Sequence, residues 1–272
     1  MTNSTSTADP NQEFICLMAH GASEFIATLV LLLAVMGCFA LLIVPYVAPS
    51  LQTPALACLV AAVIALIVKS PLGKLSGAHM NPAVSLAFWL ERRLRSREFL
   101  VYVLMQFGGA ITACELLSAV SHDYFQAIGF GVLSPAPGLS ITRLLALEAG
   151  ATGGLVVLLF FVLSHKELTK HTAAAIAIYL AAMTLLLAPL TGASFNPARA
   201  YGAALAAHRL DGQWPYFIAP LLGAACAAIL YRVIPLLPRP LYHRLNHSHE
   251  HANYTLHILE ALQNRLNRVL LR

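Results

Sequence analysis

The tripeptide Asn-Pro-Ala occurs twice, 115 positions apart, in the closely matched settings S-G-A-H-M-N-P-A (residues 76–83) and T-G-A-S-F-N-P-A-R (residues 191–199). Asn is a preferred helix N-cap, and Pro suits the first helical position because its missing N–H would have no intrahelical partner there. Each box therefore opens a helix: Asn81, Pro82 and Ala83 in the first copy, Asn196, Pro197 and Ala198 in the second. The apolar stretches that follow, 84–90 and 200–207, last about two turns, whereas a spanning helix needs about 20 residues. Long apolar runs flank both boxes. The two short helices must then enter a membrane without crossing it, and the irregular backbone before them must be buried in protein or line a watery cavity.

Composition agrees with a membrane setting. The 272 residues are 58% hydrophobic and 11% charged, less than half the usual charged share. Six runs are long enough to cross: 14–44, 54–68, 99–120, 141–163, 172–190 and 214–235. Residues 1–13 are polar and lack Lys and Arg, so they do not read as a signal peptide. With the first span entering from the cytoplasm, Lys69, Lys74, Arg92, Arg93, Arg95, Arg97, Lys166, Lys170 and the basic residues from Arg232 onward fall on the cytoplasmic side. Only Arg143, Arg199 and Arg209 fall opposite. This places both termini in the cytoplasm, in a multi-pass protein of the plasma (inner) membrane. The net charge of +5 comes from these anchors and does not point to nucleic acid. All five cysteines lie in spans and read as buried free thiols.

The halves repeat. E-F-I-A-T begins at Glu24 and E-A-G-A-T at Glu148; G-G-A begins at Gly108 and G-A-A at Gly223. Three spans and one half-helix per repeat (14–120 and 141–236) force the second copy to enter from the opposite side, which gives an inverted repeat. The expected fold is all-α: six transmembrane helices and two re-entrant half-helices meeting N-terminus to N-terminus. Residues 14–236 would form this unit, between a polar N-terminus (1–13) and a tail (237–272).

The paired boxes, the paired E-x-x-x-T, Q-F-G-G-A, N-P-A-R and W-P-Y-F-I-A-P-L-L-G-A-A resemble the aquaporin family, the major intrinsic proteins, over about residues 21–232. The resemblance implies a passive channel for water and small neutral solutes, assembled in the bilayer as a homotetramer, with no enzymatic activity and no cofactor. It implies pore carbonyls from Gly77, Ala78, His79 and Met80 and from Gly192, Ala193, Ser194 and Phe195. Glu24 and Glu148 would support the two loops. The facing positive helix ends would disfavour a cation. Arg199 matches Val84 of the first repeat, so the symmetry of the fold does not require its charge; the resemblance puts it in the outer constriction.

Counted from the boxes, the filter positions of the family fall on Ala61, Thr184, Ala193 and Arg199. Water channels of the family usually carry an aromatic at the first and His at the second; the glycerol branch has aromatics at the first and third. Neither set is present. The small residues resemble wide filters that pass metalloid hydroxides such as arsenous acid, or glycerol-like polyols. A water-selective pore and a proton-coupled exporter using Glu24 and Glu148 are the alternatives, and a non-conducting junction protein is a third. In the tail, Leu256, Leu259, Leu262, Leu266 and Val269 have the spacing of an amphipathic helix. His247, His249 and His251 offer weak Zn or Ni ligands, against the competing reading of a solvated linker without metal.

Overall fold

A computed structural model describes residues 10–234 and 237–241. The described chain is helical, with no strand. Its first span is α1 (Pro10–Cys38), continued by a π-helical turn (Phe39–Ile43) and α2 (Val44–Tyr46). Then come α3 (Pro49–Lys69), α4 (Pro71–Ser76), the half-helix α5 (Pro82–Leu90), α6 (Ser96–Val120) and the short α7 (His122–Ala127). The second half holds α8 (Ile141–Ser164), α9 (Thr172–Thr191), the half-helix α10 (Pro197–Ala206) and α11 (Pro215–Val233). Six of these segments are long and apolar enough to cross a membrane, and the expected inverted repeat of six spans and two half-helices is the architecture seen. The expected spans match to within a few residues; the second begins earlier, at Pro49, because proline is accepted in a first helical turn.

Each repeat pairs its own first and last spans, and the two repeats interlock. Helix α1 pairs with α6, and α8 with α11; α3 and α9 meet across the interface between repeats. The half-helices are exchanged: α5 lies on α11 and α10 lies on α6, so each rests on the last span of the other repeat. Lipid offers no hydrophobic drive between spans, so close backbone contact must supply the adhesion. Gly109 of α6 lies against the backbone of Phe25, and Gly223 of α11 against that of Ala149, too near to accept a methyl group. Gly202 of α10 approaches the Ala110 carbonyl in the same way.

Glu13 and Arg95 form an ion pair, and Arg232 donates to the Leu90 carbonyl, which puts both described chain ends on one face. Segment 237–241 also folds back there, with Leu241 N–H bonded to the Leu163 carbonyl and Ser164 donating to Pro238. The five cysteines are free, as expected. The expectation that all are buried is corrected: Cys114 is buried, whereas Cys58 and Cys226 are exposed on their spans. A thiol is apolar enough to face lipid as readily as the core.

Replacing Gly223 by Val should cost about 1–3 kcal/mol or more through overpacking of α8 against α11. Gly150 of α8, whose added methyl would meet nothing, is the control, and Gly150→Ala should hold or slightly raise stability. Thermal unfolding in detergent, with Gly223→Val melting no lower than Gly150→Ala, would remove the close-crossing argument.

Candidate functional site

Both loops that enter the membrane have the same backbone path. Helix α4 ends at Gly77 (φ 98°), followed by left-handed Ala78 (54°) and Met80 (51°); α9 ends at Gly192 (87°), followed by Ala193 (52°) and Phe195 (52°). Left-handed non-glycine residues cost on the order of 1–3 kcal/mol each and persist only where their surroundings hold them. A buried carboxylate does so in each repeat. Glu24 accepts from Ser76 Oγ (2.6 Å), His79 N (3.0 Å), Met80 N (2.7 Å) and Gln106 Nε2 (2.7 Å). Glu148 accepts from Thr191 Oγ1 (2.7 Å), Ser194 N (3.1 Å) and Phe195 N (2.9 Å). With the amide hydrogens turned back to the carboxylates, the residues of each loop have their opposite side free to face a cavity.

A tyrosine completes each brace. Tyr102 donates to the Ser76 carbonyl (2.5 Å) and Tyr216 to the Thr191 carbonyl (2.7 Å). These two tyrosines are 114 positions apart, a repeat that was available in the sequence. Gln106 is a further unexpected partner, since it bridges Glu24 and Ser85 (3.0 Å), which in turn meets His79 Nδ1 (3.1 Å). His79 is also stacked on Phe88 and set edge-on to Tyr102, a packed ring in a hydrogen-bonded network.

Asn81 Oδ1 accepts from Ala83 N (2.9 Å), and Asn196 Oδ1 from Ala198 N (3.0 Å) and Arg199 N (3.4 Å), so both cap their half-helices. Each amide also reaches across the repeat interface. Asn81 Nδ2 donates to the Phe195 carbonyl (2.7 Å) and Asn196 Nδ2 to the Met80 carbonyl (2.8 Å). The carbonyls of Met80 and Phe195 are therefore already engaged by the opposite asparagine. A carboxamide has two donor hydrogens, which leaves the second on each asparagine for the cavity.

That cavity has a volume of about 440 Å³ and is lined by both loops and by stripes of α1, α3, α8 and α9. The α3 stripe is Thr53, Leu56, Val60, Ile64 and Val68, a rise of about 22 Å; Ile176, Leu180, Thr184 and Ala188 form that of α9. Asn81, Asn196, Thr184, Ala193 and Arg199 line it, together with Ala78, His79, Met80, Gly192, Ser194 and Phe195. Gly77 does not, nor do Pro82, Ala83, Pro197 and Ala198, which are buried behind it. Glu24 and Glu148 also lie behind the wall, fully buried. Ala61 is off the lining, and its neighbour Val60 is on it. Counting back from Asn81 misplaces this position because the chain leaves the helix at Ser70 (φ −70°, ψ 169°) between α3 and α4. Helix α9 runs unbroken to Thr191, and Thr184 lies on the cavity lining.

Arg199 has no carboxylate within ion-pair distance among the described residues, and its enclosed Nη1 has no protein acceptor. A charge held in low dielectric without an ion partner is costly, and the fold keeps this half-buried one at the cavity wall. His247, His249 and His251 lie outside the described residues.

Six spans with two capped half-helices meeting at one cavity define an integral, multi-pass membrane protein built on an inverted repeat. The chain belongs to the major intrinsic protein family, whose sequence profile it matches over residues 14–231. It is 32% identical to Aquaporin-1 of Sus scrofa over 169 residues, covering 61% of this chain and 62% of that protein. It is 34% identical to a probable aquaporin, TIP3-2, of Arabidopsis thaliana over 173 residues (62% and 63%). It is also 34% identical to the lens fiber major intrinsic protein of Gallus gallus over 169 residues (62% and 64%). The chain thus spans about three-fifths of the length of these relatives. The X-ray structure of the aquaglyceroporin from Plasmodium falciparum has the same fold, with a TM-score of 0.64 at 19% identity, covering 81% of this chain and 97% of that one.

Glu148→Ala would strand the amides of Ser194 and Phe195, at about 1–3 kcal/mol for each unsatisfied donor. Tyr216→Phe removes one bond only and should cost about 1 kcal/mol. Melting temperatures in detergent should therefore fall far more for Glu148→Ala than for Tyr216→Phe; equal losses would mean that the carboxylate does not carry the loop.

Proposed function

We propose that this chain forms a passive transmembrane channel for small uncharged solutes, metalloid hydroxides such as arsenous acid or glycerol-like polyols, with water also passing. The observation that carries the reading is the wall around Arg199. Thr184 and Ala193 share the cavity with Leu56 and Val60 of α3, and none of these side chains is aromatic. With Val60 in place of Ala61, the constriction is formed by Val60, Thr184, Ala193 and Arg199. A methyl-lined opening with one hydroxyl and one guanidinium admits a bulky neutral molecule and offers its hydroxyl groups two polar contacts. Cations and protons are opposed by the unneutralised Arg199 and by the N-terminal ends of α5 and α10, which both point at the cavity. The relatives named aquaporins and the fold shared with an aquaglyceroporin support conduction downhill.

Glu24 and Glu148 act as loop anchors in this reading. Both oxygens of each accept hydrogen bonds and neither residue lines the cavity, which speaks against proton carriage by a coupled exporter. The Lys and Arg distribution favours a cytoplasmic side for the face that holds both described ends. The assembly is a homotetramer, each chain with its own pore.

Stopped-flow permeation in proteoliposomes, comparing water, glycerol, urea and arsenous acid without a pH gradient, tests the reading. Val60→Phe combined with Thr184→His should cut glycerol and arsenous acid flux by roughly tenfold or more, while water stays within about twofold. Misfolding would lower every flux together. A parent protein that already excludes glycerol and arsenous acid would replace the wide filter by a water-selective pore.

A further inference from the structure

The first span leaves α-helical geometry at Phe39. There the Val44 amide, instead of that of Ile43, bonds to the Phe39 carbonyl, so a π-helical turn of five residues replaces one of four. Such turns insert a residue into a helix and often occur at functional positions. The lining stripe of α1 runs Leu31, Leu32, Val35, Met36 and Phe39 and then stops. Ala40 and Ile43, which lie next along the turn, are buried away from the cavity, where the π-turn meets α3 and α7. The extra residue thus turns the end of the span aside and leaves the Phe39 ring as its last side chain on the cavity wall.

The rest of this mouth is closely framed. A short 3₁₀ turn, Gly129–Gly131, lies on α10, which carries Arg199, and all three of its residues have positive φ (61°, 56° and 69°). A methyl on Gly131 would stand 3.2 Å from the Met36 sulfur, so the loop rests directly on α1 within one turn of Phe39. Gly131 and Ser134 from this loop, and Thr53 from α3, line the cavity with the ring. Among the described residues, Phe39 is the one aromatic side chain that a spanning segment contributes to the lining; His79 and Phe195 belong to the re-entrant loops.

We infer that Phe39 is a specificity-determining residue of this channel, which sets the upper size of the neutral polyhydroxyl solutes that reach the Arg199 constriction. The inference rests on the channel reading above. Its ring presents a flat apolar face to the C–H edge of a polyol, while Thr53 presents a hydroxyl to the solute oxygens. The apolar selectivity surface missing from the constriction is thereby moved outward to the π-turn, and size is judged before charge.

The test is stopped-flow permeation of water, glycerol and the five-carbon polyol xylitol through proteoliposomes of the full chain, for the parent, Phe39→Ala and Phe39→Leu. Phe39→Ala should raise xylitol flux by about fivefold or more relative to glycerol, with water within about twofold of the parent. Should Phe39→Ala fail to fold, Phe39→Leu decides: a raised xylitol-to-glycerol ratio supports the inference, and an unchanged ratio overturns it. Unchanged ratios in a folded Phe39→Ala also overturn it and leave the barrier to the constriction, while the reading of a polyol channel stands. If the parent excludes glycerol, the wide-filter reading falls instead. Admission of glycerol by Phe39→Ala would then still make Phe39 the barrier, and continued exclusion would dismiss it.

Discussion

Two carboxylates hidden behind the cavity wall hold this molecule in shape. Buried backbone amides must find an acceptor, and in hydrocarbon water cannot supply one. Glu24 and Glu148 provide it, and in doing so they keep two strained loops of left-handed residues in place. The direction of the half-helices, the crossed asparagine bonds and the cavity itself all follow from where those loops are held. Each carboxylate is held in turn by hydroxyl and amide donors, so it stays buried without an ion pair.

The repeat accounts for the scaffold, and its breaches mark the places where the two halves have different work. Glu24 and Glu148, Ser76 and Thr191, Tyr102 and Tyr216, and Gly109 and Gly223 serve matched ends. Arg199 faces the cavity where Val84 does in the first repeat. Gln106 ties Glu24 to Ser85, while the position 114 residues later is Pro220, which can offer no such donor. The π-turn at Phe39 likewise has no counterpart in α8, which runs as a regular α-helix from Ile141 to Ser164.

How much of this was legible in the sequence depended on what separates a residue from its landmark. The Asn-Pro-Ala boxes, the caps and the six spans could be read directly, because helix-end chemistry and apolar length act locally. The place of Thr184 on the cavity lining could be reached by counting, since α9 is continuous up to the loop. Ala61 could not, since Ser70 interrupts the path between α3 and Asn81 and shifts the facing stripe to Val60. The crossed bonds from Asn81 to Phe195 and from Asn196 to Met80 depend on how the repeats dock, which no local pattern encodes. Tyr102 and Tyr216 were visible as a repeated pair, but their shared partner became evident only once the loops were placed.

The exchange of half-helices has a consequence for how the protein is made. Helix α5 leaves the ribosome early, yet the main surface it rests on belongs to α11, the last of the described spans. Until the second repeat is made, the first box lacks both the α11 surface and the Asn196 amide that binds Met80. The first three spans can insert in order, but the segment around Asn81 can take its final place only at the end of synthesis. A chain interrupted before residue 215 would hold the sequence of the first half-helix without the α11 surface that it rests on.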